Sequence, residues 1–161
     1  MTPATLILGI DETDGRPGFG PACLDQLGAR WRFPDRVRLL RVGADASGLA
    51  PLLPGAQALL VFGALGPGAA GGLQIVQGRK AHDVLGAATP GGLAALAGAL
   101  ESAAAGGARP ARMALVGCGP ETDGSGPVAP AVEVALTILR GWGVCPMPGA
   151  ARAEQLEPAA G

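Results

Sequence analysis

The chain has 161 residues, a formal net charge of −1 and a hydrophobic share of 48%, the profile of a single domain able to bury a core rather than of a disordered chain. Charge so close to neutral supplies no overall pull toward nucleic acid or an anionic membrane, and 3% aromatic residues leave little for base stacking. No apolar run reaches the ~18 residues of a spanning helix, and the opening MTPATLILGI lacks the basic segment and cleavage site of a secretory signal.

In chain order, the first apolar run is Thr5–Ile10 (TLILGI), nearly all apolar, as expected for a strand covered on both faces. The acid-rich stretch GIDETDGRPGFG follows it. A helical pattern over Gly18–Trp31 then places Phe19, Cys23, Leu27 and Trp31 at steps of four on one face. Val37–Val42 (VRLLRV) mixes Arg38 and Arg41 with apolar residues, which suits a strand near a sheet edge. Ala58–Ala64 (ALLVFGA) is a second strand of the fully covered kind. After the Gly/Pro turn GPGAAGG, Gly72–Gln77 (GLQIVQ) alternates and is expected to pair as a hairpin.

Thr89–Ala104 opens with Thr-Pro, the signature of an N-cap followed by proline at the first helical position, and continues with Leu93, Leu96 and Leu100. Met113–Cys118 (MALVGC) is another covered strand. Val128–Trp142 is a helix with Val134, Ile138 and Trp142 at steps of four. Alternating strands and helices predict an α/β fold: a single-domain three-layer sandwich with a twisted, mostly parallel sheet of about five strands flanked by helices. The domain is expected over residues 1–146, and the polar, Pro-bearing segment 147–161 reads as a flexible tail.

In open sheets of this class the ligand site lies beyond the carboxyl ends of the strands, so the loops after Ile10, Phe62 and Cys118 are where chemistry is sought. Asp11, Glu12 and Asp14 could offer oxygens to a hard cation, but Asp14-Gly15 is a common turn dipeptide and no second acidic cluster completes a shell; the turn is favoured. His82, the one histidine, is the only candidate for an imidazole base or ligand, and stands among Arg79, Lys80 and Asp83 in a solvated setting. Ser47, Ser102 and Ser125 lie outside any nucleophile elbow. Cys118, at a strand end, reads as a core thiol. The odd, widely spaced set Cys23, Cys118 and Cys145 forms neither a disulfide framework nor zinc pairs and fits reduced thiols in a cytoplasm. GRPGFG before a helix invites an anion-cradle reading, without the ending of a P-loop.

Taken together, LILGI, GFG opening a helix, LLVFGALGPGAAGGLQIV, ATPGGLAALAGAL and ALVGCGPETDGSGPVAPAVEVAL resemble the NiFe-hydrogenase maturation endopeptidases, from about Thr5 to Val144. LVGCGPET followed by PAVEVAL is the most specific element. The resemblance implies a peptidase that trims the C-terminus of the hydrogenase large subunit and reads the nickel carried by that subunit through three side chains. These are an acid just before the first helix, an aspartate closing the third strand and a histidine at the start of the following helix. Carried over residue by residue, the acidic pair falls on Arg16 and Pro17, the strand-end aspartate on Gly63, and the histidine on Gly91 or its neighbour Gly92.

Proline and glycine bring no side-chain donor, and Arg16 brings a positive charge toward a cation. Asp14 and His82 are the nearest substitutes for the missing metal ligands. The expectation is therefore a catalytically degenerate, binding or chaperone-like member with no resident cofactor, nickel arriving only with the partner. That partner is an immature NiFe-hydrogenase large subunit or an accessory protein. Two alternatives stand beside it: an active, divergent endopeptidase that uses substrate-bound nickel to cleave the C-terminus of the large subunit, and an anion- or small-molecule-binding α/β module.

Overall fold

The computed structural model describes residues 5–10, 19–34, 36–42, 56–64, 73–86, 92–107, 110–118, 128–149 and 156–158. Strand β1 (Thr5–Ile10) is buried along its whole length and lies between β3 (Val37–Val42) and β4 (Ala58–Ala64), parallel to both. β4 pairs in parallel with β6 (Arg112–Cys118), and β6 carries β5 (Leu73–Gln77) antiparallel on its other side. A three-residue strand, β8 (Leu156–Pro158), joins β3 in parallel, giving the order β5-β6-β4-β1-β3-β8. The expected α/β sandwich with a mostly parallel sheet is what the chain forms.

Alternation along the strands divides the core between the two faces. Leu6, Leu8, Ile10, Leu59, Val61, Met113 and Leu115 point to one side, where they pack with Ala81 of α2 (Arg79–Gly86) and with Leu96 and Leu100 of α3 (Gly92–Ala105). Ile7, Leu39, Leu60, Phe62, Ala114 and Val116 point to the other. There they meet Cys23, Leu24 and Leu27 of α1 (Phe19–Arg30) and Ala131, Ala135 and Leu139 of α4 (Val128–Gly141). Because successive side chains of a strand face opposite ways, a strand covered on both sides must be apolar throughout, which is why TLILGI and ALLVF read as they do.

α4 ends in a Schellman turn: Gly143 takes φ 86, its N–H donates to the Arg140 carbonyl, and the Val144 N–H reaches back to the Leu139 carbonyl at 2.9 Å. The buried Val144 then seals that end. Nearby, the Arg140 guanidinium stands 5.7 Å from the ring centroid of Trp31, which opens the short strand β2 (Trp31–Arg32). Arg112 Nη1 donates to the Trp142 carbonyl at 2.8 Å, tying α4 to the amino end of β6.

Four details differ from the reading of the sequence. Leu73–Gln77 does not form a hairpin with the strand before it; β6, brought back by α3, takes the place beside β4, and β5 pairs with β6. RKAHDVLG, read as a solvated connection, forms α2, anchored by buried Ala81. The third helix begins at Gly92, and the Thr89-Pro90 cap lies outside the described residues. Within 147–161, read as a flexible tail, β7 (Met147–Pro148) pairs antiparallel with β2, and β8 lies on β3. Pro158 closes β8 on the sheet edge, where a missing donor costs least. No helix among the described residues is long and apolar enough to cross a membrane.

Two glycines bring α1 onto the sheet. A Cβ on Gly20 would lie 2.6 Å from the Ile10 nitrogen and 2.7 Å from the carbonyl oxygens of Ile10 and Phe62; one on Gly9 would lie 2.7 Å from the Gly20 oxygen. All are backbone atoms, which cannot swing aside. Gly20→Ala is therefore expected to destabilise the protein by about 3 kcal/mol in urea unfolding. Gly98→Ala, in the middle of α3 with nothing within 4 Å of the added carbon, should stabilise by about 0.5–1 kcal/mol. Equal effects at the two positions would contradict this packing.

Candidate functional site

The parallel strands β1, β3, β4 and β6 end on one edge of the sheet, at Ile10, Val42, Ala64 and Cys118, and β5 starts from that same edge, its Leu73 opposite Cys118. The connection from β1 passes through α1 on one face, whereas the chain leaving β4 returns to β6 through α2 and α3 on the other. β1 and β4 are adjacent. Neighbouring strands whose connections depart to opposite faces open a crevice between them, the switch point where open α/β sheets bind ligands. The close contact of Gly20 with Ile10 and Phe62 sits at this crevice and sets its floor.

The position next to that floor is Gly63, buried and paired with Gly117 of β6. By alternation both glycines belong to the α2–α3 face, the same face as Leu59, Val61 and Leu115. A glycine here supplies only backbone. The carboxyl edge is thus glycine-lined on β4 and β6 and glycine-packed on β1.

α3 runs toward the amino edge, since it precedes β6, so its start at Gly92 belongs to the carboxyl edge and to the Gly63 face. The topology brings together the two regions to which the resemblance assigns the strand-end acid and the helix-start histidine. Gly91 itself lies outside the described residues, as do Pro17, Arg16 and the acids Asp11, Glu12 and Asp14.

His82 lies in the first turn of α2. That helix begins at the far end of the sheet: β5 runs down from the Cys118 level to the Ala114 level, and the Gly78 N–H donates to the Met113 carbonyl at 2.9 Å. The antiparallel course of β5 is what brings the start of this helix to that end of the sheet. Among the described residues, no group of three or more His, Cys, Asp or Glu could hold a metal ion. Of the cysteines, Cys23 is a buried thiol in the α1 core and Cys145 is exposed.

GFG at the start of α1 also has a structural account. Gly20 is required because strand backbone presses against it; residues 15–18 of the GRPGFG stretch lie outside the described residues. Reading the sequence alone missed this contact, and also the Gly63–Gly117 pair; the signal available was a glycine near the end of each of three apolar runs, Gly9, Gly63 and Gly117.

No protein-family model matches the chain, and no curated protein matches its sequence. Solved structures do. The hydrogenase maturating endopeptidase HybD from E. coli is 24% identical with a TM-score of 0.76, the match covering 92% of this chain and 98% of that one. The solution structure of an endopeptidase from Escherichia coli is 22% identical at TM-score 0.74, with the same coverage of 92% and 98%. A hydrogenase 2 maturation peptidase from a Thaumarchaeota archaeon is 24% identical at TM-score 0.54, covering 86% of this chain and 97% of that one. The chain therefore has the fold of the hydrogenase maturation endopeptidases over nearly its whole length.

Gly63 brings no side-chain donor near the end of β4, and no metal-holding cluster stands among the described residues, which sets an expectation for free metal. Titrating the purified protein with nickel(II) should show no saturable 1:1 site, and Asp14→Ala and His82→Ala should leave the titration unchanged. Loss of a saturable site in either variant would mean that these residues do coordinate.

Proposed function

We propose that this protein acts in the maturation of a NiFe-hydrogenase, binding the immature large subunit or an accessory protein of its assembly as a chaperone-like partner rather than as the peptidase. Two things support a role in this process: near-complete mutual coverage with the hydrogenase maturating endopeptidase fold, and the resemblance of LVGCGPET and PAVEVAL to that family's elements. The observation that carries the loss of peptidase chemistry is Gly63. It is a buried glycine at the end of β4, on the rim of the switch-point crevice, where the family resemblance calls for a carboxylate.

The physical argument is one of donors. A transition metal is held by carboxylate, imidazole or thiolate groups arranged around it. Nickel in this process is cargo on the partner, so the binding protein would have to contribute side chains to a site that is already partly filled. Gly63, together with Pro17 and Gly91 at the other two positions, contributes none. What the crevice retains is shape: a rigid floor set by Gly20 against β1 and β4, and a glycine-lined strand end that lets another chain approach the backbone closely. Such a surface can receive the nickel-bearing region of a partner without competing for the metal.

Incubating the purified protein with nickel-loaded large-subunit precursor is the test. The expected result is a complex that survives gel filtration, with the C-terminal extension of the precursor intact by mass spectrometry. Removal of the extension at a single bond would establish an active divergent endopeptidase. Absence of any complex would remove the large subunit as the partner.

A further inference from the structure

The edge strand β5 has none of the features that usually keep a foreign strand away. Its sequence, Leu-Gln-Ile-Val-Gln, has no charge and no proline, whereas exposed edges are commonly blunted by lysine, proline or a bulge. The opposite edge shows the usual protection, with Glu157 and Pro158 in β8. β5 pairs with β6 alone. In an antiparallel pair alternate residues direct their amides and carbonyls outward, and among the described residues no backbone partner meets them.

The strand is firmly held from within. Leu73 packs against the core on the α1–α4 side and Val76 against the core on the α2–α3 side. Ile75, at the centre of the strand, is 42% exposed. A ladder of backbone groups unpaired among the described residues, with one apolar side chain at its middle, is the arrangement by which a sheet accepts an added strand, the backbone supplying affinity and the side chain selectivity. Beyond Gln77, Gly78 turns with φ 68 into α2, which opens with the exposed Arg79 and Lys80; Asp83, also exposed, follows one turn later.

We propose that β5 is a peptide-docking edge that takes an extended segment of a partner protein as an additional strand, apolar where it crosses Ile75 and acidic at the end beside Arg79 and Lys80. Since Leu73 stands opposite Cys118, one end of a segment seated here lies at the carboxyl edge of the sheet, with β5 and β6 between it and β4. The proposal goes beyond the maturation reading, because it names a recognition chemistry that holds whichever protein supplies the segment.

A fluorescein-labelled peptide of alternating threonine and valine ending in two glutamates, titrated with the full chain and followed by anisotropy, tests it. The wild-type protein should bind saturably. Ile75→Lys, checked as folded by its melting temperature, should weaken binding at least about tenfold, and the pair Arg79→Glu, Lys80→Glu should weaken it and reverse its salt dependence, because added salt then screens a repulsion. Wild-type protein that does not bind, or an Ile75→Lys variant that binds equally well, overturns the proposal. So does sedimentation velocity showing a wild-type dimer that Ile75→Lys dissociates, which would assign the edge to a second copy.

Discussion

The backbone-to-backbone seating of α1 on the ends of β1 and β4 is the constraint on which the rest of the architecture depends. Gly20 has no room for a methyl group because the Ile10 amide and the carbonyls of Ile10 and Phe62 occupy that space, and Gly9 is pressed in turn by the Gly20 carbonyl. Backbone atoms in paired strands cannot retreat without breaking the ladder. The contact therefore fixes how far the first helix stands from the sheet, and with it the floor between the two strands whose connections part to opposite faces. The adjoining residue, Gly63, inherits this position at the rim.

From that floor the functional reading follows by chemistry. A crevice at a switch point is where such a sheet meets its ligand, but what it can do there depends on the side chains that enter it. Here Gly63, next to last in β4, and its partner Gly117 on β6 are both glycine, so these two positions bring backbone and no side chain to the strand ends. The fold matches that of HybD at 24% identity, and in this chain it rests on two cores, apolar on alternate sides of the same strands. A binding site is far less redundant, since one missing carboxylate changes its chemistry.

Much of the fold was legible in the sequence because burial on both faces writes itself as unbroken apolar runs. TLILGI, ALLVFGA and MALVGC have the pattern of covered strands and are such strands, and VRLLRV, with Arg41 exposed, lies one strand in from an edge. The partner of β5 was not legible: adjacency is decided by where the α2–α3 crossover returns the chain, and LQIVQ pairs equally well with any neighbour. α2 escaped notice because it is eight residues long, shorter than the window in which helical periodicity accumulates. At the site, Gly63 could be recognised as lacking a donor only through the family resemblance. That Gly9 touches Gly20 is a fact of three-dimensional proximity that no local pattern encodes. The helix that carries His82, the substitute ligand named from the sequence, starts from the opposite edge because of the downward course of β5, a turn of topology that the chain order does not reveal.

X-ray absorption at the nickel edge, recorded on nickel-loaded large-subunit precursor alone and in complex with this protein, addresses the central claim most directly. An unchanged set of nickel ligands in a formed complex is the result that the proposed role predicts, with Gly63 bringing no side-chain donor near the end of β4. New oxygen or imidazole scattering that appears on complex formation and vanishes in Asp14→Ala or His82→Ala would contradict it.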